Sequence, residues 1–532
     1  MSKPNIVFVL CDDLDTETIE HVPELKSLVA DQGIEFTEAF VTYPVCCPSR
    51  VSYLRGQYTH NHRVLTNQNH NGAHSKTKEL TLEDEMLPVW LKRAGYRTAI
   101  FGKYMNGFDE QNIPLGWDRF FGVMGLTRHQ RFNDQGMLAD YPPDTYLFED
   151  VLREQSLSWL RDSAQDESPF FMCLWTHAPH QPATPAARHM ELFEDLQLPR
   201  QPNYDEEDVA DKPSWVRKLP PITDADADKM TKLYRDRARC TVGVYEMLEP
   251  VIKELDAQGK LSNTYIIFSA DHGFHFGNHR LRQGKQSPYD EDVRVPFYVR
   301  GPEVPAGVQR NEMIASHDVA PTICELAGAD YPKWVDGSSF VQLLSSDAGK
   351  LRWRKAVGLE AWTLPGTVVP DYHAVRTHKF KYVEYRGTGE VECYDLSRDP
   401  HEINNVVESV DLDMLNYLKD AARSIRNSSA TNTRVTEGFE KSGAGSEKES
   451  ELFRGLLQIH ENQSKHKEES QLDQLRYNLH KKSQESDRLK TRVNKLEQTN
   501  VSLKSQLEAM RSSRSWKLLD KLNRLRVELL GR

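Results

Sequence analysis

Over the first 330 residues, short apolar runs rich in β-branched and aromatic side chains alternate with longer stretches of helical period. "NIVFVL", "YRTAIFGK", "PFFMCLWTHAPH", "TYIIFSADHG" and "VPFYVRGP" read as strands, while "LTLEDEMLPVWLKRAG", "TYLFEDVLREQSLSWLRDSA" and "DKMTKLYRDRARCTVGVYEMLEPVIKELDAQG" read as helices. This alternation predicts an α/β domain around a mostly parallel sheet. In such sheets ligands bind beyond the carboxyl ends of the strands. Asp12 and Asp13 follow the first run, Lys103 the second, His177 and His180 the third, and Asp271 and His272 the fourth. One rim of one sheet is therefore expected to carry the chemistry.

Taken singly, each feature has a plainer reading: paired aspartates after a strand often begin a helix, and "DHG" alone is a common turn. Acids at two distant strand ends, with "CCPSR" between them in sequence, repel once brought together unless a cation holds them, and so predict a metal site. In "VTYPVCCPSRVSYLRGQY", Pro48 suits the first position of a helix and Gly56 its end, which puts Cys46 and Cys47 just before a helix N-terminus. Unpaired amides and the helix dipole favour an anion there. Two small buried thiols are the plainer reading, and a thiol nucleophile needs a neighbour that lowers its pKa.

Met1-Ser2-Lys3-Pro4 leads straight into "NIVFVL", which is too short for a membrane span or secretory signal and reads as a buried strand. A cytosolic location follows as the expectation. The seven cysteines are odd in number and scattered through apolar contexts, against a disulfide framework and for a reducing compartment. The net charge of −11 is uneven: residues 431–532 hold 21 Lys and Arg against 15 Asp and Glu, leaving 47 against 64 before them, so a −17 body carries a +6 tail. An acidic body gives no support for nucleic-acid binding.

"CCPSR" followed by "VSYLRGQY" resembles the signature of the formylglycine-dependent sulfatases, C-x-P-S-R with a short helix behind it. The doublet together with "HNH" at 60–62 is most similar to the glucosamine-6-sulfatase and heparan 6-O-endosulfatase branch. "PNIVFVLCDDLD", "AGYRTAIFGKYMN", "HAPHQP", "SADHGFHFGNH", "GKQSPYDEDVRVPFYVRGP" and "HDVAPTICELAG" occur in the family's order, and the likeness spans roughly residues 4 to 410. It implies an alkaline-phosphatase-like α/β sandwich with a small C-terminal α+β subdomain. It also implies a sulfuric ester hydrolase acting on a sulfated sugar, with Cys46 oxidised to formylglycine (3-oxoalanine) and hydrated to a diol that attacks sulfur. By the same resemblance Asp12, Asp13, Asp271 and His272, with the side chain at 46, hold a divalent cation, Ca²⁺ first and Mg²⁺ or Mn²⁺ as alternatives. Arg50, Lys103 and Lys285 match the basic residues around the sulfate, and His180, with His177 second, matches the general acid. A formylglycine-generating enzyme, acting on Cys46 before folding, is an implied partner.

Two positions depart from the family. Met105 stands where many relatives carry a histidine two residues after the lysine, with His60 or His62 as the expected substitute, and His272 stands where many carry asparagine. Two other functions fit the same motifs: a phosphonate or phosphate ester hydrolase of the same fold, and a catalytically silent coiled-coil interaction protein.

The expected organisation is a catalytic domain at 1–335, the small subdomain at 336–425, a flexible Ser-, Thr- and Gly-rich linker at 426–450, and a helical tail at 451–532. In the tail Leu472, Leu475 and Leu479, then Leu489, Val493, Leu496, Asn500, Leu503, Leu507 and Met510, form a heptad seam, from which a parallel homodimer is expected. Beyond it Leu518, Leu522, Leu525 and Leu529 beside Trp516, with seven Lys and Arg against two acids over 511–532, make a basic amphipathic helix. Such a helix suits an anionic membrane surface and would keep a cytoplasmic enzyme peripheral to it.

Overall fold

In the computed structural model every side chain of the strand Asn5–Asp12 is buried, so both of its faces are covered. It lies mid-way in a ten-stranded sheet, flanked in parallel by Thr264–Ala270 on one side and Phe170–Pro179 on the other. Arg97–Gly102 and Arg119–Val123 extend the parallel core. The strand predicted from "VPFYVRGP", Phe297–Arg300, pairs antiparallel with Thr264–Ala270 and leads to Ile34–Phe36 and the edge strand Val308–Arg310, while an antiparallel hairpin, Gln130–Asp134 with Met137–Tyr141, forms the opposite edge. The architecture is the expected α/β one with a mostly parallel central sheet.

Two long helices, Phe148–Asp162 and Asp224–Ala257, pack on each other and on Phe170–Pro179. The second begins where the Thr223 hydroxyl accepts the Asp226 amide. A second group, Cys46–Arg55 with Leu87–Arg93 and Val319–Ala327, packs together, and Tyr53 from it meets Phe8 with ring centroids 5.5 Å apart. "LTLEDEMLPVWLKRAG" does not form one helix. Met86 is extended, and a new helix starts at Leu87 because Pro88 lacks an amide to continue the preceding turn.

The structure describes residues 3–68, 71–125, 130–141, 148–346, 353–364, 366–438, 504–505, 517–518 and 521–526. Residues 1–442 form one compact unit and 443–532 another. Within the first, four antiparallel strands (Ala356–Ala361, Tyr372–Thr377, Phe380–Tyr385, Val391–Asp395) carry the helix Leu412–Arg426 on one face through Ala356, Val375, Tyr382, Leu418 and Ile425. The expected linker start at 426 is corrected: Thr431–Thr436 is helical and Glu437 is fully buried. There Glu437 accepts from the Tyr58 hydroxyl at 2.6 Å and pairs with Arg354 at 3.2 Å. A buried carboxylate with such partners behaves as core, whatever the polarity of its neighbours in sequence.

The heptad seam lies outside the described residues, as do Trp516 and Leu529; the described Leu518, Leu522 and Leu525 are helical and exposed. Among the described residues no helix is long and apolar enough to cross a membrane.

Candidate active site

The carboxyl ends of the parallel strands do meet. Asp12 closes its strand and Asp13 turns with φ +68°. Successive residues of a regular strand face opposite ways, and the left-handed turn at Asp13 is what brings a second, adjacent carboxylate into the same site. Asp271 and His272 follow Thr264–Ala270, Lys103 follows Arg97–Gly102, and His180 follows Phe170–Pro179. Cys46 is the first residue of the helix Cys46–Arg55, which starts two residues earlier than Pro48 implies. Gly56 ends it at φ +63°, a conformation glycine takes without steric cost.

The Cys46 thiol lies 3.4 Å from His272 Nε2 and 3.1 Å from Lys285 Nζ. Lys285 Nζ also donates to Asp13 Oδ1 at 2.6 Å. Lys103 donates to Asp12 Oδ2. Arg50 is fully buried; its Nε donates to Asp271 Oδ2 at 2.8 Å and another guanidinium nitrogen donates to the Lys103 carbonyl at 2.6 Å. His272 Nδ1 donates to the Gly273 carbonyl, leaving Nε2 pointed at Asp13 Oδ1, 3.1 Å away. His180 Nδ1 donates to the Gln181 carbonyl, and its Nε2 stands 3.8 Å from Asp13 Oδ2. Lys285 reaches the same cluster from outside the central sheet, directly after the short strand Gln283–Gly284 that pairs with His275–Phe276.

Two interlocking sets of donor atoms, Asp12, Asp13, Cys46 and His180, and Asp12, Cys46, Asp271 and His272, each fall within 4.8 Å of one another. Asp12 Oδ1 is buried with no hydrogen-bond partner among the described residues. An orphaned carboxylate oxygen between two further carboxylates, beside an imidazole whose Nε2 proton a cation would displace, is the donor chemistry of a hard divalent cation.

The electrostatics separate the two thiols. Burial raises the Cys46 pKa, but Lys103 and Lys285 overcome it and hold the thiol well below its ordinary value. Burial, aided by the charge on Cys46, pushes Cys47 up to about 12, and its backbone amide is taken by Asn67 Oδ1 at 2.8 Å. Cys47 is the small buried thiol of the plainer reading. Burial works against the charge on Asp12, yet Lys103, His180 and Arg50 keep it well below the usual carboxylate range. Burial and the neighbouring Asp12 lift Asp271 to about 6. His272 is raised to about 9 against burial by Asp271 and Asp13. His180 is raised in spite of burial by Asp13 and Asp12, while burial and the adjacent His180 depress His177 to about 3.

The expected substitutes for the missing histidine are engaged elsewhere. His60 Nδ1 faces Glu360 at 2.9 Å and its Nε2 donates to the Ser428 carbonyl at 3.0 Å. His62 is buried, accepting the Val64 amide on Nδ1 and bonding Ser52 through Nε2. Met105 is itself buried. Arg237, which sequence reasoning did not single out, is fully buried beneath the site and bonds the Asp13 carbonyl. The available signal was an arginine on the same helical stripe as Met230, Tyr234, Thr241, Val244 and Leu248.

Residues 4–329 match the family model described as Sulfatase, and residues 277–427 that described as N-sulphoglucosamine sulphohydrolase, C-terminal. An arylsulfatase of Volvox carteri is 32% identical over 76% of this chain and 71% of its own length. The N-acetylglucosamine-6-sulfatase of Capra hircus is 29% identical over 82% of this chain and 86% of its own. The extracellular sulfatase SULF-1 homolog of Drosophila melanogaster is 35% identical, but the chain spans only 31% of that protein's length. In fold, the chain is similar to BT4656 solved with its substrate D-glucosamine-2-N,6-O-disulfate, with TM-score 0.70 and 21% identity over 82% of this chain and 100% of that one. It is also similar to a phosphonate monoester hydrolase of Agrobacterium radiobacter, with TM-score 0.61 and 20% identity over 80% and 96%.

Proposed function

The chain belongs to the sulfatase family and is a sulfuric ester hydrolase; from that premise we propose that it removes sulfate from a sulfated sugar, using formylglycine made from Cys46 and a divalent cation. The carrying observation is the Cys46 side chain, within 3.4 Å of both Lys285 and His272 among three buried carboxylates. The cation would be held by Asp12, Asp13, Asp271 and His272 with the side chain at 46; the oxygen-rich set favours Ca²⁺, with Mg²⁺ or Mn²⁺ as alternatives. Bound together, the two groups supply a strong oxygen nucleophile and charge neutralisation at the sulfate.

The chain's own residues do the rest. Arg50 holds Asp271 in place, and Lys103 and Lys285 face the negative charge that develops on the sulfate oxygens. His180, whose pKa Asp13 and Asp12 raise in spite of burial, fixes its ring through Nδ1 and offers Nε2 to the departing sugar oxygen. His177, held neutral by its surroundings, is the weaker candidate. Because Cys46 is fully buried, its oxidation belongs to the unfolded chain, which supports a formylglycine-generating enzyme as a required partner.

The test is turnover by the purified, formylglycine-bearing chain of 4-nitrophenyl sulfate beside the matching phosphate and phosphonate esters. Faster turnover of either phosphorus ester would replace the sulfatase assignment with the phosphorus one, and unmodified Cys46 on every molecule from the native host would favour the silent interaction protein. For the small C-terminal subdomain, the four-stranded sheet and the second family match support the reading. For the tail, we read a coiled-coil homodimer whose exposed Leu518, Leu522 and Leu525, among Lys517, Lys521 and Arg526, meet an anionic membrane surface from the cytoplasmic side. Binding of the full chain to anionic vesicles no better than a chain ending at Ser442 would remove the membrane, and recovery mainly from culture medium would remove the cytoplasm.

A further inference from the structure

Arg237 sits mid-way along the helix Asp224–Ala257 with no exposed surface. One guanidinium nitrogen donates both to the Asp13 carbonyl at 2.5 Å and to Asp15 Oδ2 at 2.6 Å, and the other donates to the Pro179 carbonyl at 3.2 Å. The group lies against Phe274 and Phe276, 4.3 and 5.4 Å from their ring centroids. Four segments converge on this one side chain: the ends of the strands Asn5–Asp12 and Phe170–Pro179, the turn at Asp15, and the stretch Phe274–Phe276.

We propose that Arg237 is a positioning residue for the hydrolysis, setting the spacing between the Asp13 carboxylate and the His180 ring. The proposal rests on the roles given above to Asp13 and His180. Pro179 immediately precedes His180, and Asp13 is the residue whose left-handed turn brings its carboxylate to Lys285 and His272. A non-glycine residue holds such a turn only when its surroundings over-determine it. The bond from Arg237 to its carbonyl is part of that restraint. Asp15 cannot follow the arginine if it moves, because it already accepts the Glu17 and Thr18 amides and the Thr18 hydroxyl. The guanidinium is thus anchored at one corner, confined by two aromatic rings, and bonded to the backbone on either side of the site.

The chemistry is specific to arginine. A planar fork serves three acceptors in fixed directions, whereas an ammonium on a flexible stem cannot hold both carbonyls at once. A displacement of about 1 Å at reacting groups costs about 10²-fold in rate. Arg237→Lys keeps the charge and loses the fork, so it isolates geometry from burial of a cation.

The experiment compares wild type, Arg237→Lys and Arg237→Ala as full-length chains co-expressed with a formylglycine-generating enzyme. Formylglycine content is read by mass spectrometry of the Cys46 peptide, and kcat and KM are measured on 4-nitrophenyl sulfate and expressed per formylglycine. Calcium titration by calorimetry reads the placement of Asp13 apart from turnover. Arg237→Lys should melt cooperatively, lose about 10²-fold in kcat with KM within a few-fold, and bind Ca²⁺ about tenfold more weakly. Millimolar guanidinium should restore part of the kcat of Arg237→Ala but none of that of His180→Ala. A folded Arg237→Lys chain with kcat per formylglycine and Ca²⁺ affinity both within twofold of wild type overturns the proposal, and stands even if Arg237→Ala does not fold. A wild-type chain inactive on the sulfate ester yet binding Ca²⁺ more tightly than Arg237→Lys would instead count against the sulfatase reading alone.

Discussion

Replacing Glu149 by Gln should flatten part of the pH dependence of stability. Glu149 is buried in the first turn of the helix Phe148–Asp162, where its Oε1 accepts the Ala178 amide at 2.9 Å. Burial raises its pKa from 4.5 to about 7, against the hydrogen bonds from Ala178 and the neighbouring backbone. The folded chain therefore holds this proton more tightly than the unfolded one. Below pH 4.5 both states are protonated and nothing is lost; as pH rises toward 7 only the unfolded state releases the proton, and stability falls until the folded group ionises as well. At 1.36 kcal/mol per pKa unit, the wild-type chain should lose about 2.5 kcal/mol between pH 5 and pH 8 through this group. Glu149→Gln keeps an oxygen for the Ala178 amide and carries no titrating proton. Equilibrium urea unfolding of both chains at pH 5 and pH 8 measures the difference of differences, in which all other titrating groups cancel. The variant should gain about 2.5 kcal/mol on wild type over that interval. A gain below about 0.5 kcal/mol, or one of opposite sign, would show that Glu149 is ionised and compensated in the fold, and the burial argument would fail.

Cys46→Ala should abolish sulfate-ester turnover, while Cys47→Ala should keep much of it; the reverse result would exchange the two thiols. Deleting everything after residue 430 should destabilise the body by about 3 kcal/mol relative to a chain ending at Ser442, because Arg354 then keeps Asp318 but loses Glu437. Denaturant midpoints within error of each other would mean that the segment 431–437 contributes nothing. Exhaustive chelation should remove activity and lower the melting temperature, since the three carboxylates then repel. The order in which Ca²⁺, Mg²⁺ and Mn²⁺ restore turnover identifies the ion, and full activity in chelator would exclude a metal role.

The parts of the site that were legible in the sequence share a cause. Asp12, Lys103, His180, Asp271 and His272 each follow an apolar run of strand period, and parallel strands put their carboxyl ends on one rim whatever else the chain does. The helix after Cys46 was legible from Pro48 and Gly56, although its start lay two residues earlier. The polar stretch after 426 misled because composition reports the average neighbour and not the one buried contact: Thr431, Asn432, Thr433 and Thr436 read as linker, and Glu437 made the segment core.

Local pattern by itself determined the order of the parallel strands and their reactive ends, since these depend on period and on residues adjacent in sequence, whereas the choice of Cys46 over Cys47 came from the family resemblance. The pairing of Phe297–Arg300 against the parallel set, the turn that swings Asp13 beside Asp12, the engagement of His60 and His62 elsewhere, and the burial of Arg237, Glu149 and Glu437 were decided only by the tertiary structure. A charged side chain reads as solvent-facing until its partners are known. For Arg237 those partners lie 222 and 224 residues away in sequence, and the energy of a buried charge is set by such distant groups, not by its own segment.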